Sequence, residues 1–284
     1  MSSSTAPPSP ADLSPSAPTE PATPGPASTP SIHAAAAAGY SAGADTYVKG
    51  RPDYPPELHA WLRDSVGIVP GAAVVDLGAG TGKFTQLLAK TGADVIAVEP
   101  VAEMLARLRV DLPGVTGVQG TATAIPLPDA SADVVVCAQA FHWFATTAAL
   151  DEMARVLKPG GRLALIWNLR DAHVPWVARM NEITDRHEGD VPRFYKGTWR
   201  GVFPHPAFEA PSESQFTNAH TGPAEDVIVK RVLSTSFISA LPDDQRATVE
   251  AQLRRLIDET PDLKDPPHVA VPYLTFAFCA RKRG

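Results

Sequence analysis

The sequence lacks a long apolar run, since no window approaches the about 18 consecutive apolar residues that a membrane-spanning helix requires. We therefore expect no membrane as a partner. A long basic block is missing as well, because the longest is Arg281-Lys282-Arg283 and the formal net charge is −6. This balance argues against a nucleic-acid partner, while a local basic patch assembled by folding stays open.

Cysteine is also scarce, with Cys137 and Cys279 the only two, each inside an apolar run. Buried free thiols are typical of a reducing compartment. Lysine and arginine are absent before Lys49, which argues against a secretory signal and against a mitochondrial presequence. These observations favour a cytoplasmic protein. No Cys/His spacing fits a metal site, so we expect no metal.

Residues 74–84 are the most informative stretch that is present. An apolar run containing Asp76 is followed by glycines at 78, 80 and 82, and a helical pattern begins directly afterwards. This order predicts a buried strand, a tight turn and a helix N-terminus. Glycine permits a positive φ and lets a ligand approach the backbone, while N–H groups at the helix start can donate to it. A glycine turn without a ligand is the simpler alternative.

Two nucleotide-binding motifs fail on this turn. A Walker A loop requires glycine at Leu77 and Ser or Thr at Phe84, and the dinucleotide fingerprint requires glycine at Lys83. The remaining pattern, Asp-x-Gly-x-Gly-x-Gly, resembles motif I of the class I S-adenosylmethionine (SAM) methyltransferases. The resemblance implies a loop under the methionine part of SAM and an acid that helps to hold its ammonium group. The cofactor-binding residues implied here are Asp76, Gly78, Ala79, Gly80, Thr81 and Gly82.

An acid ends the second predicted strand, residues 94–99. Glu99 lies about 20 residues after the first glycine, which is the spacing of a ribose-binding carboxylate. Its two oxygens can accept from both ribose hydroxyls; the alternative is an acid that caps the next helix. Pro100 and Met104 follow, and Met104 packs either on the adenine ring or in the core.

A third strand, residues 115–119, leads into Gly120-Thr121-Ala122. In the family this turn usually reads Gly-Asp-Ala, and the acid accepts from the adenine amino group. Thr121 stands at that place, and its neutral hydroxyl is a weaker acceptor than a carboxylate. The backbone N–H of Ala122 is the alternative adenine contact.

The fourth predicted strand, residues 133–138, continues into Gln139 and the aromatic run Phe141-His142-Trp143-Phe144. Ligands of doubly wound sheets bind at the carboxyl ends of strands. The run resembles the equivalent loop in the trans-aconitate methyltransferase and related small-molecule groups. We predict that Gln139 contacts the cofactor and that His142 and Trp143 contact the acceptor. His142 is the candidate catalytic base, or a structural ring packed against Trp143.

A proline-rich strap precedes the core, with Tyr47, Arg51 and Tyr54 among its prolines. It is either a surface connection or a lid, and its Tyr-x-x-x-Arg-Pro-x-Tyr-Pro pattern resembles the strap of many small-molecule methyltransferases. The resemblance implies that Arg51 contacts the cofactor and that Tyr47 and Tyr54 contact the acceptor. A further family feature is the Leu-Lys-Pro-Gly-Gly turn at 157–161. Trp167 and Asn168 follow it and are predicted to face the acceptor.

Strand and helix patterns alternate from about residue 73, which indicates an α/β fold with a parallel sheet. The resemblance adds a Rossmann-like sheet of seven strands, mostly parallel, with helices on both faces and an antiparallel last strand. We predict four regions: a disordered tail rich in Pro, Ser and Ala (1–38), a strap and helix forming a lid (39–72), a SAM-binding core (73–170), and a C-terminal part of the same domain with acceptor-side helices and closing strands (171–284).

These features predict a SAM-dependent methyltransferase that acts on a carboxylate, hydroxyl or carbon of a small molecule by in-line displacement. A protein or RNA methyltransferase and a non-catalytic SAM-binding protein are the alternatives. The sequence indicates neither the acceptor nor the oligomeric state.

Overall fold

A computed structural model describes residues 51–284 of the chain. The predicted tail at 1–38 and the first part of the strap, including Tyr47, lie outside these described residues.

A seven-stranded sheet with the order β3-β2-β1-β4-β5-β7-β6 forms the centre of the described region. Strands β1 to β5 pair in parallel, whereas β7 runs antiparallel to both of its neighbours. The predicted fold class is therefore confirmed. The strands are β1 (Ala73–Leu77), β2 (Asp94–Glu99), β3 (Thr116–Gln119), β4 (Ala132–Ala138), β5 (Leu157–Arg170), β6 (Ser212–Gly222) and β7 (Val269–Arg281).

Helices cover both faces of this sheet. They are α1 (Glu57–Trp61), α2 (Lys83–Ala89), α3 (Ala102–Asp111), α4 (Thr147–Val156), α5 (Pro175–Asp185), α6 (Arg231–Leu233), α7 (Ser236–Ser239), α8 (Asp243–Glu259) and α9 (Pro261–Lys264). Two π-helical segments, Leu62–Val66 and Glu225–Lys230, extend α1 and precede α6, and short 3-10 turns occur at Phe141–Trp143 and Thr198–Val202.

Alternate residues of the parallel strands supply two separate apolar cores. Val74 and Val136 pack with α1 and α2 on one face, whereas Val75 and Cys137 pack with α4 on the other. Strands buried on both faces lose the polar alternation of a surface strand. This explains the nearly continuous apolar runs of β1, β2 and β4. A third cluster joins α5 and α8 to the first half of β7.

The Leu-Lys-Pro-Gly-Gly segment is an irregular part of strand β5 in the structure. Helix α4 ends at Val156, and the turn residues are included in β5, where they form an irregularity in the pairing with β4. Ala132 pairs with Leu157 and Val134 with Arg162, so the residues between 157 and 162 bulge outward. Gly160 has a φ of +74°, which allows this reversal.

Among residues 51–284, no helix has both the length and the hydrophobicity needed to cross a bilayer.

Candidate active site

The carboxyl ends of β1, β2, β4 and β5 meet at one edge of the sheet. The strand order reverses between β1 and β4, which is where doubly wound folds bind their ligands. The glycine loop after β1 is fixed there by backbone bonds, because the N–H groups of Gly78 and Ala79 donate to the Val98 carbonyl at 2.8 and 3.2 Å. The loop therefore lies directly beside the end of β2.

Gly78 and Gly80 differ in how much space surrounds their Cα atoms. Both have positive φ, +74° and +59°. A Cβ on Gly78 would lie 2.7 Å from the Ala140 Cβ, so the loop after β4 packs closely against this glycine. A Cβ on Gly80 would meet no atom closer than the Met104 Sδ at 3.9 Å. Apart from this ordinary contact with Met104, the surroundings of Gly80 are uncrowded, which leaves room for a cofactor above the loop.

We expect Gly78→Ala to destabilise the protein by about 1–3 kcal/mol, because it adds a steric overlap to an unfavourable φ. Denaturant unfolding measures the loss. Gly71→Ala is the matched control for φ alone, since Gly71 has a φ of +78° and open space around it. Gly114→Ala is the baseline variant that carries neither effect, because an added Cβ there meets no atom within 4 Å and the φ of Gly114 is not positive. A loss for Gly78→Ala no larger than that for Gly71→Ala would contradict the packing argument.

Asp76 is buried beneath the glycine loop, with 1% of its surface exposed. The Thr85 hydroxyl at the start of α2 donates to its Oδ2 at 2.6 Å. Burial raises the pKa of Asp76 to about 7, with a further contribution from the charge of Glu99, although the Thr85 hydrogen bond opposes the shift. A cation bound above the loop would favour the ionised form.

Glu99 ends β2 beside the same loop and is 4% exposed. Its Oε2 accepts from the Gly80 N–H at 2.8 Å, and its Oε1 accepts from the Val101 N–H at 2.9 Å. Burial raises the pKa of this carboxyl, and the two backbone bonds partly offset the shift. Each oxygen retains a second lone pair. The carboxylate can thus accept from a diol while it keeps the loop in place.

The turn after β3 is small and internally bonded. The backbone groups of Thr121 and Ala124 bond each other at 3.2 and 3.3 Å, and the Thr121 hydroxyl lies 3.4 Å from that of Thr123. Ala122 is buried. The turn follows β3 next to Glu99, whose carbonyl accepts from the Gly120 N–H.

Gln139 adopts a strained backbone at the end of β4. Its φ is +60°, a value uncommon outside glycine. Its N–H donates to the Ile166 carbonyl at 2.8 Å, and its side-chain amide donates to the Asn168 carbonyl at 3.1 Å. These bonds to β5 hold the strained residue, which directs the following aromatic turn toward the glycine loop.

The two tryptophans of the predicted acceptor site, Trp143 and Trp167, differ in how deeply they are buried. Trp143 is half-buried, and the Arg193 guanidinium lies 6.0 Å from its ring centre. Trp167 is fully buried among aromatic rings, 4.8 Å from Trp199 and 4.9 Å from Phe194. A direct acceptor contact for Trp167 therefore does not fit this packing. Its indole N–H instead donates to the His142 Nδ1 at 2.9 Å.

The described part of the strap is anchored to the sheet by Asp53. Its carbonyl accepts from the side-chain amides of Asn168 at 3.2 Å and Asn218 at 2.6 Å, and its carboxylate pairs with Lys83 at the start of α2. The Tyr54 ring packs edge-on against Phe84, 4.8 Å away. Asn168 therefore positions the strap, and the strap passes over the helix that follows the glycine loop.

Sequence reasoning missed Thr85, Asn218 and Thr275. Thr85 left a weak signal, since it is a polar residue within the apolar pattern of α2. Thr275 donates to the Asn168 Oδ1 and is fully buried. Asn218 and Thr275 left no signal, because their contacts join segments far apart in the chain.

Metal binding finds no support in the described region. Within residues 51–284, no group of three or more His, Cys, Asp or Glu side chains could hold a metal ion.

Comparison with known proteins identifies the family. Residues 75–165 match the methyltransferase domain model. An uncharacterized methyltransferase-like protein of Schizosaccharomyces pombe is 38% identical over 237 residues, which cover 83% of this chain and 92% of the relative. An uncharacterized methyltransferase of Mycobacterium tuberculosis is 41% identical over 232 residues, or 81% of this chain and 89% of the relative.

The chain belongs to the class I SAM-dependent methyltransferases. It is thus an enzyme whose cofactor is SAM. A solved methyltransferase structure from Anaeromyxobacter dehalogenans, proposed to be of type II, agrees in fold with a TM-score of 0.58 at 24% identity, covering 82% of this methyltransferase and 97% of that chain. The narrower resemblance to trans-aconitate methyltransferases remains a prediction.

Proposed function

We propose that this methyltransferase transfers the SAM methyl group to a small molecule bound at the carboxyl edge of β4 and β5. The observation that carries the cofactor part is the Glu99 carboxylate, which is buried, held by the N–H groups of Gly80 and Val101, and left with lone pairs at the edge of the glycine loop. The ribose hydroxyls of SAM fit this acceptor group.

We extend the proposal to the remaining cofactor contacts. The loop of Gly78, Ala79, Gly80, Thr81 and Gly82 would pass under the methionine part, and the ionised Asp76 would favour its ammonium group. Met104 borders the uncrowded space at Gly80 and would contact the adenine ring together with Pro100. Thr121 or the Ala122 N–H would contact the adenine edge. Arg51 in the strap and Gln139 after β4 would close the methionine side.

Bound SAM supplies an electrophilic methyl group on a sulfonium, so in-line attack by the acceptor needs positioning more than covalent help. Preorganised positioning can contribute on the order of 7–11 kcal/mol. In our proposal the strap, anchored through Asp53, acts as the lid over the site. The acceptor side would be bordered by Trp143, the ring of His142 and Tyr54. Tyr47, from the preceding part of the strap, would be a further acceptor contact.

The small-molecule assignment rests on charge and on the aromatic character of the site. The formal net charge of −6 disfavours a polyanionic RNA acceptor. A protein acceptor is the second candidate, because a peptide needs no basic groove. The cytoplasmic location expected from the two free cysteines is part of this proposal.

Two measurements test the proposal. Calorimetry with S-adenosylhomocysteine (SAH) is expected to show binding to the full chain, and absence of binding would overturn the cofactor assignment. Labelled SAM is then supplied with a cell extract separated into small molecules and macromolecules. Label in the small-molecule fraction supports the proposal. Label in protein or RNA supports the alternative.

A further inference from the structure

The two ring nitrogens of His142 have different environments. Nδ1 accepts a hydrogen bond from the Trp167 indole N–H at 2.9 Å. An indole N–H can only donate, so Nδ1 carries no proton in this arrangement. A neutral His142 ring must therefore carry its proton on Nε2.

The Nε2 atom is buried and has no hydrogen-bond partner within residues 51–284. A buried N–H without a partner is unfavourable by about 1–3 kcal/mol, so such a group requires an explanation, and a bound ligand that accepts from it is one. His142 belongs to the turn whose residues Ala140 and Phe144 pack against Gly78 of the glycine loop. The unpartnered donor thus lies on the segment that borders the proposed methyl-transfer site.

The packing around Trp167 keeps its indole N–H directed at His142, so that Nδ1 of His142 remains the acceptor. The indole is fully buried and packed against the tilted rings of Trp199 and Phe194, with Phe278 5.9 Å away, so it cannot turn its N–H away from His142 without repacking the core. Packing of this density makes rotamer changes costly. The aromatic core consequently fixes the tautomer of His142.

Protonation of the ring is opposed as well. Burial, with a contribution from the charge of Arg193, lowers the pKa of His142 to about 3. Arg193 is itself 3.5 Å from the carboxylate of Glu188, which also pairs with Lys196 and accepts from Tyr195. An efficient general base has a pKa close to the working pH. His142 in this environment does not meet that condition.

We propose that His142 donates its Nε2–H to the methyl acceptor and does not act as its base, and that Trp167 is the positioning residue that sets this role. This inference rests on the proposed function. The acceptor class is then a molecule with a lone-pair oxygen that receives the Nε2–H and that is nucleophilic without help from the protein. The acceptor lone pair forms the new bond to carbon, the electron pair of the broken C–S bond stays on sulfur, and no proton passes to His142.

Nitrogen-15 NMR of histidine-labelled protein saturated with SAH tests the tautomer directly. We expect the His142 ring, assigned by its disappearance in His142→Gln, to show protonated Nε2 and unprotonated Nδ1 from pH 5 to pH 8. The exposed His59 provides the reference for a solvent-exposed ring. Trp167→Phe is expected to release Nδ1 and to make the ring a mixture of tautomers. A proton on Nδ1, or titration of His142 in this pH range, would overturn the proposal.

Transfer of labelled methyl to the small molecules of a cell extract tests the role. His142→Gln keeps an N–H donor near the Nε2 position, so we expect activity within about threefold of wild type, whereas His142→Leu should lose about 10–100-fold. A base would make both variants lose about 10²–10⁴-fold, and that result overturns the inference. Failure of wild type to bind SAH would instead refute the proposed function.

Discussion

Glu99→Ala is expected to weaken SAH binding by about 1.5–3 kcal/mol, or roughly 10–150-fold, as for the loss of hydrogen bonds to a charged group. The carboxylate connects the end of β2 with the glycine loop, through its 2.8 Å bond from the Gly80 N–H. Its removal takes away both the proposed acceptor for the ribose hydroxyls and the support of the loop. Calorimetric titration with SAH measures the change.

Two variants separate these contributions. Glu99→Gln keeps one carbonyl oxygen, so it can still accept from either the loop or the sugar, and we expect an intermediate affinity. Glu103→Ala removes an exposed acid in the first turn of α3 and is expected to bind SAH as wild type does. Thermal unfolding of each variant shows whether the protein stays folded at the titration temperature. Wild-type affinity in a folded Glu99→Ala variant would remove this residue from the cofactor site.

The first half of the fold could be predicted because its signals are local. The predicted strand at 94–99 agrees with β2 in both boundaries. It is a continuous apolar segment with clear breaks at its ends. The insertion of β7 between β5 and β6 depends on which distant strands pair, and only the family resemblance supplied the antiparallel strand.

In the site, too, the features that depend on local sequence could be predicted, and those that depend on distant contacts could not. The glycine loop and Glu99 could be placed together because parallel strands end at one edge of a sheet. The burial of Trp167 could not be predicted, since both faces of β5 are covered and the apolar run gives no alternation that separates inside from outside. The contact of Asn218 with Asp53 joins β6 to the strap, and no pattern within either segment indicates it.

Asp76 is expected to make SAH binding depend strongly on pH. Its pKa in the folded protein is raised to about 7 from an ordinary value of 3.8. Below pH 7 the folded protein therefore keeps this carboxyl protonated, and a ligand ammonium that favours the ionised form must first displace the proton. Affinity should level off above about pH 8 and should fall as the pH is lowered, by roughly 10–30-fold between pH 7.5 and pH 5.5. Calorimetry at several pH values measures this slope.

Asp76→Asn tests whether Asp76 is the titrating group. For this variant we expect weaker SAH binding but a more stable folded protein. Because the folded-state pKa is raised, the unfolded chain ionises first, and Asp76 makes folding less favourable as the pH rises from about 4 to 7. At pH 8 the asparagine variant should therefore have a higher free energy of unfolding than wild type, by up to roughly 4 kcal/mol, as measured by denaturant unfolding. It should also bind SAH more weakly, and its affinity should not show the pH slope. Asp94→Asn, an exposed acid at the start of β2, should leave both properties unchanged. Persistence of the slope in Asp76→Asn would assign the titration to another group, with Glu99 the nearest buried carboxyl.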